Sequence, residues 1–331
     1  MLAAAWQRRG LLACLLYPVS ILFGLLASLR RGAYRSGLLP RERLPVPVIV
    51  VGNITVGGSG KTPLVVALAE ALRQKGWRPG IITRGHGGSS GDATLVRPEG
   101  DPGRFGDEAV LLARRSGCPV CAGRDRAAAA RLLLASHPGC DLLIADDGLQ
   151  HYRLERELEL AVFDARGVMN GWLLPAGPLR EPLARLASVD AIVLNGAGVS
   201  PAPTLRRPTF RMKLEAGRLY RLGNPGLTCA AGDLAGQRLH AVAGIGAPQR
   251  FFDQLAELGM AVETHAFPDH HAYSAEDLAY QADALLVTEK DAVKLETLRL
   301  PFAVWVLPVT ARIDPDIAAF LLERLDGCSP A

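Results

Sequence analysis

From Gly10 to Leu29 the chain reads GLLACLLYPVSILFGLLASL, with no charged residue. As a helix at about 1.5 Å per residue, this run would reach roughly 30 Å, the depth of a bilayer core. After Pro45 the texture changes to short apolar runs separated by helical stretches. VPVIVVGN (46–53), PGIITRG, PVCAG, DLLIADD, ELELAVFDA and DAIVLN predict strands, and 61–75, 107–116 and 126–136 predict helices. Strands spaced by helices of about 10–15 residues imply βαβ units and a mostly parallel sheet with helices on both faces. Between about Ala202 and Gly236 the sequence PTFRMKLEAGRLYRL predicts antiparallel strands forming a connecting ribbon. LHAVAGIG, AVETHAF, ALLVTEK and FAVWVLPV then predict further strands, with helices over 248–258 and near 275–281, as a smaller C-terminal αβ lobe. The expected organisation is an N-terminal apolar helix with a basic flank (1–44), a nucleotide-binding lobe (45–201), a ribbon linker (202–236) and the C-terminal lobe (237–331). Ligands in such sheets bind beyond the carboxyl ends of the strands.

Charge sharpens the reading of the first segment. The net charge is +4, but the residues before Pro45 carry seven Arg against the single acid Glu42, a net +6 that leaves −2 for the rest. The basic excess therefore belongs to the apolar segment, and the main body has no basic stripe with interleaved aromatics of the kind that binds nucleic acid. A secretory signal would end in a small-residue cleavage site, whereas this run ends in SLRRG. Two geometries stay open: a membrane span, and a helix lying in the interface with Arg ends on anionic headgroups. The greater Arg excess follows the run, which keeps the body cytoplasmic in either case. The cysteines Cys14, Cys118, Cys121, Cys140, Cys229 and Cys328 suit a reducing compartment. Cys118 and Cys121 form a CxxC in an apolar stretch with no second pair at zinc-ligand spacing, so they read as core.

The chemistry concentrates in TVGGSGKTP, between a predicted strand and a predicted helix. Thr55, Val56, Gly57, Gly58, Ser59, Gly60, Lys61 and Thr62 form a candidate phosphate loop. Its glycines allow backbone N–H groups to curl around phosphate oxygens at the positive end of a helix dipole. Lys61 would reach the β/γ-phosphates and Thr62 would bind Mg²⁺. The fold class expected is therefore α/β of the P-loop NTPase type. A strand ending in Asp146 and Asp147 follows two βα units later, where such folds place a magnesium-orienting acid. No Asn-Lys-x-Asp follows a late strand, so ATP is the expected nucleotide.

VGNITVGGSGKTP, TRGHGG, GDEAVLLARR, IADDGLQH, LLPAGPLREP and FPDHHAY occur in this order. The set resembles the tetraacyldisaccharide 4′-kinase family over nearly the whole chain. The resemblance implies transfer of the ATP γ-phosphoryl group, with Mg²⁺, to the 4′-hydroxyl of an acylated disaccharide 1-phosphate lipid, forming lipid IVA at the cytoplasmic face of the bacterial inner membrane. It implies the membrane surface as a partner, and no obligate protein partner is expected. It places the proton-accepting carboxylate on Asp107, with His270 as its partner from the C-terminal lobe and His271 as the ambiguous neighbour. Arg124 and Arg180 are candidates for holding substrate phosphate or offsetting charge in the transition state, and Arg180 and Glu181, in a Pro/Gly-bounded loop with no core role, read as functional. Two alternatives keep the same motifs: a kinase for another lipid acceptor, and a membrane-bound nucleotide switch.

Overall fold

The computed structural model describes residues 6–196 and 206–325. Helix α1 (Leu11–Arg35) precedes the first strand. Strands β1 (Val48–Gly52), β2 (Pro79–Thr83), β3 (Thr94–Val96), β4 (Val120–Ala122), β5 (Leu142–Asp146), β6 (Leu158–Asp164), β7 (Ala191–Asn195), β8 (Thr209–Ala216) and β15 (Val309–Asp314) build one nine-stranded sheet, in the order β15-β8-β7-β6-β1-β5-β2-β4-β3. All neighbours are parallel except β3–β4 and β8–β15. The central strands are buried along their whole length, which is why they read as unbroken apolar runs.

Alternate residues of β1 serve different cores. Ile49 and Val51 pack with Leu64, Leu68 and Leu72 of helix α2 (Lys61–Gln74) and with Val110 and Leu112 of helix α3 (Asp107–Ser116). Val48 and Val50 pack on the other face with Ala130 and Leu133 of helix α4 (Arg126–Ser136). This two-residue alternation places the helices on both sides of the sheet.

A second sheet of six strands runs β10-β9-β14-β13-β11-β12. It comprises β9 (Leu219–Arg221), β10 (Asn224–Cys229), β11 (Leu239–Ala243), β12 (Glu263–Ala266), β13 (Ala284–Thr288) and β14 (Ala303–Leu307). Helices α5 (Pro248–Glu257) and α6 (Glu289–Leu295) belong to this lobe. The boundaries expected from the sequence do not follow sheet membership. Within 202–236, β8 joins the first sheet while β9 and β10 join the second, and the boundary at 201/202 lies outside the described residues. The C-terminal segment returns to the first sheet through β15 and helix α7 (Ile317–Leu325), whose Ile317 and Leu321 enter the first core. The chain thus crosses between lobes twice, and the crossings touch, with Gly217 N–H donating to the Pro308 carbonyl at 2.9 Å. The antiparallel pairing expected within 202–236 forms between β9 and β10, whereas β8 pairs antiparallel with the distant β15 and parallel with β7.

The helix expected near 275–281 does not form; the segment is a single turn. Asp277 accepts from both the backbone N–H and the hydroxyl of Ser274, each at 2.9 Å, and such local side-chain bonds compete with helix propagation. Cys118, Cys121, Cys140 and Cys229 are buried and unbridged, and Cys328 lies outside the described residues.

Candidate active site

The phosphate loop leaves β1 and enters α2 through Gly60, whose φ of 90° opens the helix. A Cβ at Gly60 would stand 2.2 Å from Asn195 Nδ2, and one at Gly57 (φ 96°) would stand 2.7 Å from an Arg166 nitrogen. These positions need glycine for conformation and for space. Side chains from neighbouring strand ends hold the loop open. Asn195 at the end of β7 donates to the Ser59 carbonyl (3.0 Å), and Arg166 donates to the Gly58 carbonyl (2.7 Å) while paired with buried Asp164. Asn53 reaches the Thr55 and Ser59 hydroxyls at 3.3 and 3.2 Å.

At the end of β5 the two acids have separate surroundings. Asp147, in left-handed backbone (φ 49°), lies 3.5 Å from Lys61 Nζ and 3.0 Å from Arg180. Burial disfavours its charge, but Lys61 and Arg180 outweigh burial and hold the carboxyl far below the usual range. Asp146 is 1% exposed and receives one weak hydrogen bond, from the Thr83 hydroxyl at 3.4 Å, while its Oδ1 has no partner. Burial, reinforced by Glu108, pushes its carboxyl up to about 7.

The lobes meet at Asp107. Gly106, with φ 89°, turns the chain into α3 so that Asp107 is buried at its first position. Both its oxygens lie 3.0 Å from His270 Nδ1, and its Oδ1 accepts from Glu108 N–H. Burial opposes the Asp107 charge, yet His270 and Lys290 lower its pKa below the ordinary carboxylate value. The reciprocal hydrogen bond raises the pKa of His270. His270 takes left-handed backbone, φ 61°, and its N–H donates to the Gly244 carbonyl. His271 turns instead to Asp277, at 3.1 Å. Lys290 joins Glu108 (2.9 Å) and Asp269 (3.0 Å) and lies 3.4 Å from His270 Nε2, tying α6, the 267–270 loop and α3 together.

Thus Lys61, Asp147 and Arg180 form one group and Asp107 and His270 another. One cavity between the lobes is lined by Lys61, Thr62, Glu108 and Lys290, with Phe251 and Leu214 on its apolar side. Glu181 is buried and faces away, accepting from Gln150 and Tyr152. Arg124 is exposed. It is Arg126 that is buried, donating to the Gly123 and Asp146 carbonyls, with its pKa lowered by burial to about 10. Sequence reasoning missed Arg126, Asn195, Glu108, Lys290 and His86, whose ring lies 4.7 Å from that of His270. An Arg heading an alanine-rich run was a usable signal for Arg126; the other contacts join distant segments and leave no local pattern.

A family model described as Tetraacyldisaccharide-1-P 4'-kinase matches residues 12–326. A tetraacyldisaccharide 4'-kinase of Azoarcus sp. is 53% identical over 326 residues, covering 98% of this chain and 95% of that protein. The enzyme of that name from Neisseria meningitidis serogroup B is 50% identical over 333 residues, covering 98% and 96%. A crystal structure of LpxK from Aquifex aeolicus in complex with ATP superposes with a TM-score of 0.82 at 32% identity, covering 96% of this chain and 99% of that one.

Proposed function

Since the chain belongs to the tetraacyldisaccharide-1-P 4'-kinase family, we propose how its residues divide the work of that reaction. The enzyme transfers phosphate from ATP to the 4′-hydroxyl of tetraacyldisaccharide 1-phosphate in lipid A biosynthesis, forming lipid IVA. The sugar oxygen bonds to the γ-phosphorus as the bond from that phosphorus to the β–γ bridging oxygen breaks and ADP departs. The hydroxyl proton passes to the Asp107 carboxylate, which His270 orients and whose developing neutral form it shares. The carrying observation is the Asp107–His270 contact, made between lobes and next to Glu108 and Lys290, which line a cavity together with Lys61 and Thr62. Closure of lobes around it would exclude water and suppress ATP hydrolysis.

Residues 55–62 cradle the triphosphate, Lys61 meets its outer phosphates, and the apolar side of the cavity receives the adenine. Arg180 offsets charge on the transferring group, with Asp147 holding both cations in place. Thr62 and Asp146 would hold Mg²⁺, which when bound neutralises phosphate charge. The unpartnered buried Oδ1 of Asp146 and its raised pKa fit a cation there, whereas Asp147 is already neutralised.

Helix α1 holds the enzyme to the acyl-chain region at the cytoplasmic face. Its two ends touch the same body: Arg9 Nε donates to the Asn170 carbonyl and Arg31 donates to Ser188. A helix docked along its length on one body favours lying in the interface over spanning.

The test is transfer of labelled γ-phosphate from Mg-ATP to the acylated disaccharide in detergent micelles, with a de-acylated analogue beside it. Asp107→Asn and His270→Ala should each lose transfer by about 10²–10⁴-fold while ATP still binds. Full transfer by Asp107→Asn would remove Asp107 as the base.

A further inference from the structure

On strands β11 and β12 of the second sheet is a cluster, separate from the Asp107–His270 pair, that phosphoryl transfer does not use. Parallel strands β11 and β12 set His240 beside Glu263 and Val242 beside His265. Residues 263 and 265 are two apart on β12, so both project to the face that carries His240. His240 Nδ1 and His265 Nε2 lie 2.9 Å apart. Glu263 reaches toward both rings, with one oxygen 3.7 Å from His240 Nε2 and the other 3.8 Å from His265 Nε2. One ligand atom from each of the three residues falls within 4.8 Å of the other two. Glu263 has no other ion-pair partner among the described residues, and its side chain is 68% exposed.

We propose that His240, Glu263 and His265 form a binding site for a late first-row divalent cation, Zn²⁺ being the type ion, with one position open to solvent. Two imidazoles and a carboxylate match the donor set of open zinc sites, and imidazole selects such ions over Mg²⁺ and Ca²⁺. At zinc–nitrogen distances of about 2.0–2.1 Å, tetrahedral ligation parts two nitrogens by about 3.3 Å, so the imidazoles need separate by only a few tenths of an ångström. The Tyr280 ring stacks on both, 4.8 Å from His240 and 4.2 Å from His265, which holds their planes side by side. An open groove lined by Arg238, Ala261 and Gln281 gives the ion a path from solvent.

The position suggests a consequence. β12 runs directly into the 267–270 loop that carries His270, and Tyr280 lies where the chain returns from it. The three ligands and their stacking partner therefore clasp both ends of the segment 266–280. A bound ion would pin the edge strand β12 to β11 and stiffen the base of that segment.

The experiment titrates chelator-cleared full-length protein with zinc chloride and follows heat of binding and metal retained after dialysis. One equivalent of zinc should bind saturably, with neither magnesium nor calcium chloride competing at equal concentration. His240→Ala and His265→Ala should weaken binding by at least about 100-fold, the upper end of the loss that outer-shell changes alone produce. Glu263→Gln, at an exposed carboxylate that folding does not need, should weaken it by at least about tenfold. Zinc should slow amide exchange across 263–281 in the native chain and not in Glu263→Gln. No saturable uptake by the native chain would overturn the site. Uptake that persists unchanged in all three variants would overturn it equally, by placing the zinc elsewhere.

Discussion

Asp107 stays ionised although it is almost wholly buried, because His270 and Lys290 supply more stabilisation than burial removes. The pair has a defined pH signature. His270 has a folded pKa above its ordinary 6.5, so its contribution is full below about pH 6.5 and is lost as pH rises through the raised value. Asp107 has a lowered folded pKa, so its contribution is present above its ordinary 3.8 and is lost as pH falls through the folded value. NMR titration of the His270 ring should give a midpoint above 6.5, falling toward or below that value in Asp107→Asn. An unchanged midpoint would mean that the carboxylate does not hold the imidazolium. At Gly60 the constraint is steric as well as conformational. Gly60→Ala should weaken ATP binding by at least about tenfold, since a left-handed non-glycine residue costs about 1–2 kcal/mol before the collision with Asn195 is counted. Calorimetric titration with ATP reads the loss directly.

Helix α1 shows how little of a long apolar helix has to touch the protein. Only Ala13, Ser20 and Gly24 are buried, while Leu11, Leu15, Ile21, Leu22, Leu25, Leu26 and Leu29 are more than half exposed. The narrow docked stripe consists of small residues, which lets the helix approach the 172–176 loop closely. Ser20 joins them, donating to the Leu173 carbonyl and accepting from Ala176 N–H, both at 2.9 Å. Ser20→Ala leaves the Ala176 N–H buried without this partner, while the Leu173 carbonyl keeps its bond from Gly177 N–H at 2.9 Å, and should cost about 1–3 kcal/mol in urea unfolding. The exposed leucines should instead govern attachment. Leu22→Glu with Leu26→Glu removes about 1.5–3 kcal/mol of apolar transfer per site, so partition onto anionic vesicles should fall by at least about 100-fold. Transfer to a short-chain soluble acceptor should survive the same double change, because neither residue lies near the phosphate loop.

At the scale of the whole molecule, the two lobes share one site while the chain crosses between them twice. The crossings at 216–219 and 307–309 are adjacent, so the lobes hang from a two-stranded connection. Lys290 is one of several ionic ties between the lobes, beside Arg114–Glu296, Arg115–Glu289 and Arg250–Asp164, and although burial lowers its pKa the charges of Glu108, Asp107 and Asp269 raise it further. Lys290→Met should reduce the turnover rate by at least about tenfold, since misplacing reacting groups by about 1 Å can cost 10²-fold. It should also widen the distance between labels on the two lobes in a fluorescence-transfer measurement. A normal turnover rate with widened lobes would separate closure from catalysis.

The strands of both sheets other than β3, β10 and β15, the helices at 61–74, 107–116 and 126–136, and the phosphate loop were legible because each depends on neighbours in sequence. Strands buried on both faces write themselves as apolar runs, and a helix beginning after glycines writes itself as a loop followed by a periodic stretch. Apolar length likewise marked α1. The motifs also brought Asp107, His270, Lys61 and Arg180 forward as candidates. Tertiary structure decided what joined them. It chose His270 over His271 for contact with Asp107, paired Asp147 with Lys61 and Arg180 while leaving Asp146 Oδ1 free, and buried Arg126 where Arg124 was the candidate. It also sent β15 and α7 back to the first sheet and reduced the 275–281 segment to a turn. Each of these depends on groups distant in sequence or on bonds competing for the same backbone. Apolar periodicity records which side of an element is buried, but not which distant charge it will be buried against.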